Sequence, residues 1–422
     1  MNILLRQAKI IDPQSPYHNQ TADVFIQNGI ITAIGAPATA HCDKEIQING
    51  LCVSPGWVDL FAHFCDPGFE YKETLESGAA AAAAGGYTQV LVLPNTAPYI
   101  HNKAGVEYLV QRSKALPVSL LPIGGTTKNG EGKELAEMYD MYNAGAVAFS
   151  DGIKPVHSAG LLLKALQYLK AIDATIIQLP EDQTISPNGL MHEGITSTRL
   201  GLPGKPALAE ELAIARDIEL VKYTGSKIHF TGVSTARSVA LIAQAKAEGV
   251  PVTCSVTPYH LLFCDEDLAG YDTNLKVAPP LRTKADRAAL QQAITDGTID
   301  CIATHHLPQN IDDKLVEFEY AKNGMLGLQT AFAVVNTVLP NLPDERLVQL
   351  FSTNAAHIFK LQQQTIKEGA SATLTLFTRE GDWNLKPDSN RSLSANTPFF
   401  NYPLKGKPIG IINKDKVFLN QD

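Results

Sequence analysis

The sequence lacks paired cysteines and basic clusters. Its six cysteines are scattered over 422 residues, without the Cys-x-x-Cys spacing of zinc knuckles and redox motifs. This scatter is typical of reduced thiols and predicts a cytoplasmic protein without a disulfide framework. No stripe of Lys and Arg occurs, and the formal net charge is −8, so we expect no nucleic-acid partner.

Long apolar runs are also missing. The longest run of small residues, 78–86, is too short and too rich in alanine to span a bilayer. Residues 1–7 contain no apolar segment followed by a cleavage site, so we expect neither a signal peptide nor a membrane partner. The hydrophobic share of 45% and charged share of 18% are ordinary for a globular protein. The length suffices for one large core plus an accessory domain.

Short apolar runs alternate with amphipathic stretches between residues 55 and 365. One such stretch is 206–223, whose apolar residues recur at helical spacing. Repeated strand-then-helix units predict a parallel sheet, and eight of them favour a (β/α)8 TIM barrel. A doubly wound open sheet is the alternative, although no glycine-rich phosphate loop follows the first strand. The predicted strands are 57–61, 89–93, 118–123, 146–149, 175–178, 227–231, 252–255 and 301–304.

Both ends of the chain are β-rich. Residues 1–54 and 366–422 carry short strand-like runs, and Asn28-Gly29 and Asn49-Gly50 are hairpin-turn signals in the first of them. Neither end is long enough for a core of its own. We therefore expect the two ends to form one small composite β-sandwich beside the barrel at 55–365.

Barrel enzymes place their chemistry at the carboxyl ends of the strands. Metal-dependent hydrolases of this type often begin with Asp-x-His-x-His, because alternate residues of a strand point to the same side. Here the pattern is Asp59-x-Phe61-x-His63. Phe61 has no lone pair to donate to a metal, so only one of the two expected histidine ligands is present.

Nearly the whole chain resembles type I dihydroorotase, a family of the amidohydrolase superfamily. The resemblance implies a distorted (β/α)8 barrel with a composite β-sandwich, and it also implies a homodimer. The motifs that carry it are PGWVD (55–59), DPGFEYKE (66–73), AAGGYT (83–88), PNT (94–96), VTPYHLL (256–262), KVAPPLR (276–282), DCIAT (300–304) and NTP (396–398).

Most of the active-site residues that the resemblance implies are substituted in this chain. Phe61 stands at the first metal histidine, His63 keeps the second, and Cys65 replaces the arginine for the substrate carboxylate. An ungapped alignment puts Gly152 at the bridging carboxylate, whereas a one-residue gap would put Asp151 there. The other substituted positions are Leu179 and Gly232 for two histidines, Ala278 for an asparagine, His305 for the general-base aspartate and Gln309 for a further histidine.

These substitutions lead us to expect a catalytically inactive, dihydroorotase-like protein of pyrimidine biosynthesis. Dihydroorotase chemistry needs a metal-activated hydroxide, a carboxylate base and a cation for the substrate carboxylate. The resemblance implies a role as structural partner of the catalytic chain of aspartate carbamoyltransferase. No catalytic residue and no cofactor are expected, and His63 and Asn95 are interpreted as vestigial, with Asn95 shaping its turn.

The alternative is a refitted amidohydrolase for a cyclic amide or imide, with a mononuclear or metal-free site around His63, Asp151, His305 and Cys65. Zinc is expected only in this alternative, at His63 and His305 with Asp151 as a weak third candidate. Cys65 would be a nucleophile only if a cationic neighbour lowered its pKa. A regulatory pyrimidine or nucleotide in an otherwise empty pocket stays open.

Two neighbouring side chains have expected structural roles. Asp59 is expected to bond backbone near the barrel mouth, and His306 is expected to point away from His305.

Overall fold

The computed structural model describes residues 1–35 and 41–420. Residues 36–40 and 421–422 of the predicted end segments lie outside the described residues. The strands are β1 Asn2–Ile10, β2 Thr21–Gln27, β3 Ile30–Ile34, β4 Lys44–Ile46, β5 Cys52–Pro55, β6 Trp57–Ala62, β7 Tyr87–Val92, β8 Ser119–Gly124, β9 Ala148–Phe149, β10 Ile176–Gln178, β11 Met191–His192, β12 Gly204–Lys205, β13 Ile228–Phe230, β14 Val252–Val256, β15 Cys301–Ile302, β16 Thr373–Trp383, β17 Leu404–Asn413 and β18 Lys416–Leu419.

Helices alternate with the barrel strands. They are α1 Leu75–Ala84, α2 Lys103–Ser113, α3 Met138–Ala144, α4 Ala159–Lys170, α5 Ile195–Leu200, α6 Leu208–Thr224, α7 Ala236–Ala247, α8 Pro258–Leu262, α9 Lys284–Thr295, α10 Ala331–Val338, α11 Asp344–Val348 and α12 Asn354–Ile358. The amphipathic stretch 206–223 is thus α6, displaced by one or two residues.

Eight parallel strands form the barrel in the order β6-β7-β8-β9-β10-β13-β14-β15. A parallel bridge between Ala62 and His306 brings the first strand to the chain just after the last. The backbone N–H of His63 donates to the carbonyl of His306 at 2.8 Å across the same seam. The predicted TIM barrel is therefore confirmed, and the doubly wound alternative is excluded.

The last barrel strand is shorter than predicted, ending at Ile302 rather than at residue 304. The cause is Asp59, whose carboxylate accepts the backbone N–H of Thr304 at 2.7 Å and its hydroxyl at 2.9 Å. A side chain thus takes the hydrogen bond that a continued strand ladder would have used.

The two chain ends share one sheet of eight strands, with β18-β17-β16-β5-β1-β2-β3 in sequence and β4 paired to β1. Its join to the barrel is at β5, which pairs antiparallel with β16. The predicted β-rich unit built from both ends is confirmed. The predicted domain boundaries at 54/55 and 365/366 stay predictions, because strand pairing does not show where an independently folding unit begins.

An aromatic cluster packs the sheet against the barrel. Trp57 is fully buried, and its ring lies 5.0–5.2 Å from the rings of Phe332, Phe351 and Phe377. Its indole N–H donates to Ser54 Oγ at 3.0 Å, so the one polar atom of the ring is satisfied. The cluster fixes the start of β6, the strand that leads to Phe61 and His63.

Within residues 1–35 and 41–420, no helix combines the length and the apolar character that a membrane crossing requires.

Candidate functional site

A cavity of about 1320 Å³ opens at the carboxyl ends of the barrel strands. Its lining includes apolar side chains at predicted site positions, namely Phe61, Leu179 and Ala278. His63, His305 and Asn95 line the same cavity. The structure therefore brings together most of the residues selected from the sequence, at the place where barrel enzymes bind their ligands.

His63 is held at both ring nitrogens. Nε2 lies 2.8 Å from the backbone carbonyl of Asn95, and Nδ1 lies 2.8 Å from Cys65 Sγ. The carbonyl can only accept, so Nε2 carries the proton and Nδ1 accepts from the thiol. Burial lowers the pKa of His63 to about 4, against a smaller opposing effect of the Asn95 carbonyl. The imidazole is therefore neutral at neutral pH.

Cys65 is not an activated nucleophile. Burial raises the pKa of its thiol well above the ordinary value, and the charge of Glu73 raises it further. The neighbouring His63 is neutral, so it supplies no cation to stabilise a thiolate. The thiol instead serves as the hydrogen-bond donor that orients His63.

Phe61 and His305 face each other across the seam between the first and last strands. Their ring centroids lie 4.5 Å apart at an interplanar angle of 33°. His305 Nε2 is 2.8 Å from Thr231 Oγ1, and burial lowers the pKa of His305 to about 3. This imidazole therefore packs as an uncharged aromatic ring. The ring nitrogens of His63 bond Cys65 and Asn95 instead of approaching His305.

Gly232 has no room for a side chain. A Cβ at this position would lie 2.6 Å from His305 Cε1 and 3.3 Å from Nε2, and the backbone is left-handed with φ +70°. His305 thus occupies the space that a side chain at residue 232 would need. The two substitutions form one packing unit, which the sequence showed only as separate changes.

Asn95 locks the loop after β9. Its Nδ2 donates to the carbonyl of Asp151 at 3.0 Å, and its Oδ1 accepts from the N–H of Ile153 at 3.2 Å. Gly152 lies between them at φ +68°, where a Cβ would stand 1.7 Å from Asn95 Oδ1. The Asn95 side chain therefore supports backbone, and residue 152 must be glycine for it to do so.

Asp151 is oriented by residues that the sequence analysis missed. One oxygen accepts from the backbone N–H of Thr127 at 2.8 Å, the other from the Thr127 hydroxyl at 2.5 Å, and the Tyr99 hydroxyl lies 3.3 Å from the first. Burial raises the pKa of Asp151 in spite of these donors. Neither Thr127 nor Tyr99 belongs to a spacing pattern that would have revealed it.

The remaining predictions about individual side chains agree with the structure. Asp59 bonds the backbone of Thr304, as expected. His306 Nε2 lies 3.3 Å from Glu73 Oε2, so its ring points to a different partner from that of His305. Glu73 is fully buried and also accepts the backbone N–H of Leu393 at 2.9 Å, which ties the barrel mouth to the C-terminal segment.

The donor set does not fit the metal that the fold family implies. Among residues 1–35 and 41–420, no three His, Cys, Asp or Glu side chains are grouped so that they could hold an ion. His63 and His305 each direct their nitrogens at other protein atoms. These side chains therefore offer no two-metal centre, and the expectation of no cofactor stays a prediction.

Sequence comparison gives full-length relatives. The chain is 41% identical over 428 residues to a dihydroorotase of Syntrophus aciditrophicus strain SB, covering 100% of both chains. It is 41% identical over 422 residues to that of Pelotomaculum thermopropionicum, covering 99% of each. The family model described as Dihydro-orotase-like matches residues 50–238.

The chain belongs to the dihydroorotase family.

Solved structures extend this relationship to the fold. L-Hydantoinase (dihydropyrimidinase) from Arthrobacter aurescens aligns with a TM-score of 0.85 at 25% identity, covering 99% of this chain and 96% of the other. D-Hydantoinase (dihydropyrimidinase) from Thermus sp. aligns with a TM-score of 0.82 at 21% identity, covering 99% and 95%. The second likeness concerns the architecture alone.

These relatives contradict the prediction of an inactive scaffold. Proteins that match this dihydroorotase-family chain from end to end at 39–41% identity carry the name of an enzyme. The prediction treated every substituted ligand as lost activity. A missing ligand excludes one chemical route, but it does not determine what the remaining cavity does.

Proposed function

We propose that this chain hydrolyses a cyclic amide in the barrel cavity by a route that does not use a two-metal centre. The observation that carries the proposal is the full-length identity of 41% to a relative named dihydroorotase. The cavity supports it, because aromatic side chains such as Phe61 and Tyr99 line it and offer surfaces that suit a flat ring.

His63 is the proposed general base. Its neutral imidazole has an accepting Nδ1, which a water molecule reaches by displacing the Cys65 thiol. Water then adds to the ring carbonyl carbon while Nδ1 takes its proton. The carbon–nitrogen bond of the ring breaks, and the proton passes from His63 to the departing ring nitrogen, so atoms and charge balance.

A low rate is expected from this arrangement. A Lewis acid would contribute several kcal/mol of stabilisation to the developing oxyanion, and these residues do not replace that contribution. The low pKa of His63, about 4, also makes the imidazole a weak base. The enzyme is thus expected to be slower than a two-metal hydrolase while exceeding the uncatalysed reaction.

The test is a substrate panel of dihydroorotate, dihydrouracil and hydantoin. Ring opening is monitored as a loss of ultraviolet absorbance. We expect turnover of at least one ring by the unmodified chain and none by His63→Ala. Lys133→Gln is the matched control, because this side chain is 78% exposed and pairs with Glu131 away from the cavity lining. Equal rates for His63→Ala and the unmodified chain, or no turnover of any ring, would refute the proposal.

Association and location are separate proposals that rest on the resemblance. We propose a cytoplasmic homodimer that associates with the catalytic chain of aspartate carbamoyltransferase. The free state of all six cysteines supports a reducing compartment. Co-expression followed by size-exclusion chromatography tests both associations, and a chain that elutes as a monomer in the presence of the transferase contradicts them.

A further inference from the structure

One wall of the cavity carries a pair of lysines that share a single carboxylate. Lys72 Nζ lies 3.0 Å from Asp313 Oδ2, and Lys322 Nζ lies 2.8 Å from Asp313 Oδ1. Lys72 also donates to Gln309 Oε1 at 2.7 Å. The Lys72 and Asp313 side chains are only 12% and 15% exposed, so water screens their charges weakly.

The whole cavity has an excess of positive charge. Its lining contains five lysines, Lys72, Lys154, Lys205, Lys276 and Lys322, and one carboxylate, Glu319. Asp313 and Glu181 pair with three of these lysines, and the cations still outnumber the anions. The chain as a whole has a formal charge of −8. The cavity lining is therefore positive on a protein whose net charge is negative.

The charge of Lys72 acts on the proposed base, His63. After burial and the Asn95 carbonyl, its positive charge is the next cause that sets the pKa of His63, which it lowers. The same charge opposes the rise in the pKa of the Cys65 thiol. Residue 65 is where the resemblance implies an arginine for a carboxylate.

We propose that Lys72, backed by Lys322, binds an anionic group, a carboxylate or a phosphate, on the ring-bearing ligand of this cavity. Asp313 holds the two lysines in position until that group takes its place. The assignment rests on the proposed function for the identity of the ring, and it concerns binding rather than turnover. Lys72 is thus a proposed specificity-determining residue of this cavity.

Aromatic residues beside Lys72 suit the ring of such a ligand. Tyr71 and Tyr320 line the cavity and are 60% and 72% exposed, so their rings are accessible to a ligand. Lys72 Nζ lies 5.7 Å from the centre of the Tyr71 ring. A flat ring carrying an anion thus meets an aromatic face and an ammonium group together.

Calorimetric titration of the full chain with uracil, orotate and uridine monophosphate tests the proposal. Orotate is uracil with a carboxylate, and the nucleotide carries a phosphate, so the two arms separate the sources of the anion. We expect at least one anionic ligand to bind roughly tenfold or more tightly than uracil, because a charge-assisted hydrogen bond is added. That preference should weaken with added salt.

Two variants assign the effect to the lysine pair. Lys72→Gln should lose roughly tenfold in affinity for the anionic ligand and leave uracil binding unchanged. Asp313→Asn should bind the anionic ligand more tightly, because the competing carboxylate is gone. Lys133→Gln, on an exposed surface, is the control, and thermal unfolding of each variant checks that it is folded.

Three results would contradict the proposed role of Lys72. Equal binding of uracil and both anionic ligands, no binding of any of them, or a Lys72→Gln variant that weakens all ligands equally would overturn the assignment. Binding requires no turnover, so a chain that binds orotate or the nucleotide without opening any ring refutes only the proposed function. A chain that opens dihydrouracil but ignores the anion refutes only the role of Lys72.

Discussion

His305 lies in the space that a side chain on Gly232 would occupy, with Cε1 only 2.6 Å from where a Cβ would be. Each residue makes the other possible. The imidazole packs on Phe61 and bonds Thr231 because residue 232 has no side chain, and residue 232 stays glycine because the imidazole is there.

Gly232→Ala is expected to destabilise the fold more than Gly201→Ala. Both glycines are left-handed, at φ +70° and φ +68°, but a Cβ on Gly201 meets nothing within 4 Å. The control should cost about 1–2 kcal/mol of backbone strain, and the clash should add about 1–3 kcal/mol at Gly232. Urea denaturation measures both free energies of unfolding. Adding His305→Ala should recover part of the extra cost, and equal losses for the two glycine variants would contradict the pairing.

Asn95→Ala is expected to loosen the loop after β9 by about 1–3 kcal/mol, because the N–H of Ile153 and the carbonyl of Asp151 lose their partner. Amide hydrogen exchange at residues 151–153 should accelerate by at least tenfold, as about 1.4 kcal/mol corresponds to that factor. Asn188→Ala serves as the comparison, since this residue also lines the cavity but lies on a different loop. Unchanged exchange would mean that Asn95 is free for a ligand.

Acid is expected to destabilise the protein between about pH 6.5 and pH 4. Burial lowers the pKa of His63 and His260 to about 4 and that of His229 and His305 to about 3. In this window the unfolded chain binds protons that the folded chain rejects, so stability falls as the pH falls. Each histidine contributes up to about 1.4 kcal/mol per pH unit.

The measurement for this prediction is urea denaturation from pH 7 to pH 4 for the unmodified chain and for His305→Gln. The variant should show a slope reduced by up to one proton. Identical slopes would contradict the buried, neutral state of His305.

Lys314 is expected to oppose folding below about pH 7. Its Nζ donates to the carbonyls of Thr273 and Lys322, both at 2.8 Å, and burial followed by the charge of Lys276 lowers its pKa to about 7. Between this value and the ordinary lysine value the unfolded chain holds the extra proton, so stability rises with pH. The stability of the unmodified chain relative to Lys314→Met should rise by up to about 1.4 kcal/mol per pH unit from pH 7 to pH 10.

Periodicity was sufficient to predict the barrel and the shared β-rich unit. Alternating apolar runs and amphipathic stretches depend on local burial, which the sequence displays directly. The end of β15 could not be predicted in this way, because it depends on the carboxylate of Asp59, which lies 245 residues from Thr304 in sequence. Strand ends set by distant side chains have no local pattern.

The positions of the candidate site followed from motifs, but their relationships did not. Phe61, Cys65, Gly152 and Gly232 each appeared as a separate loss. In the structure, Cys65 orients His63, Asn95 requires Gly152, and His305 requires Gly232. Compensation between side chains depends on distances that only the fold provides. The prediction of inactivity judged single positions, and the full-length relatives named dihydroorotase contradict it.

The most direct measurement is ring opening of dihydroorotate, dihydrouracil and hydantoin by chelator-treated protein whose metal content is determined on the same sample. The account predicts turnover above the uncatalysed rate with no stoichiometric metal, and loss of that turnover in His63→Ala. Turnover that appears only after zinc is added, or no turnover under any condition, would contradict a metal-independent amidohydrolase.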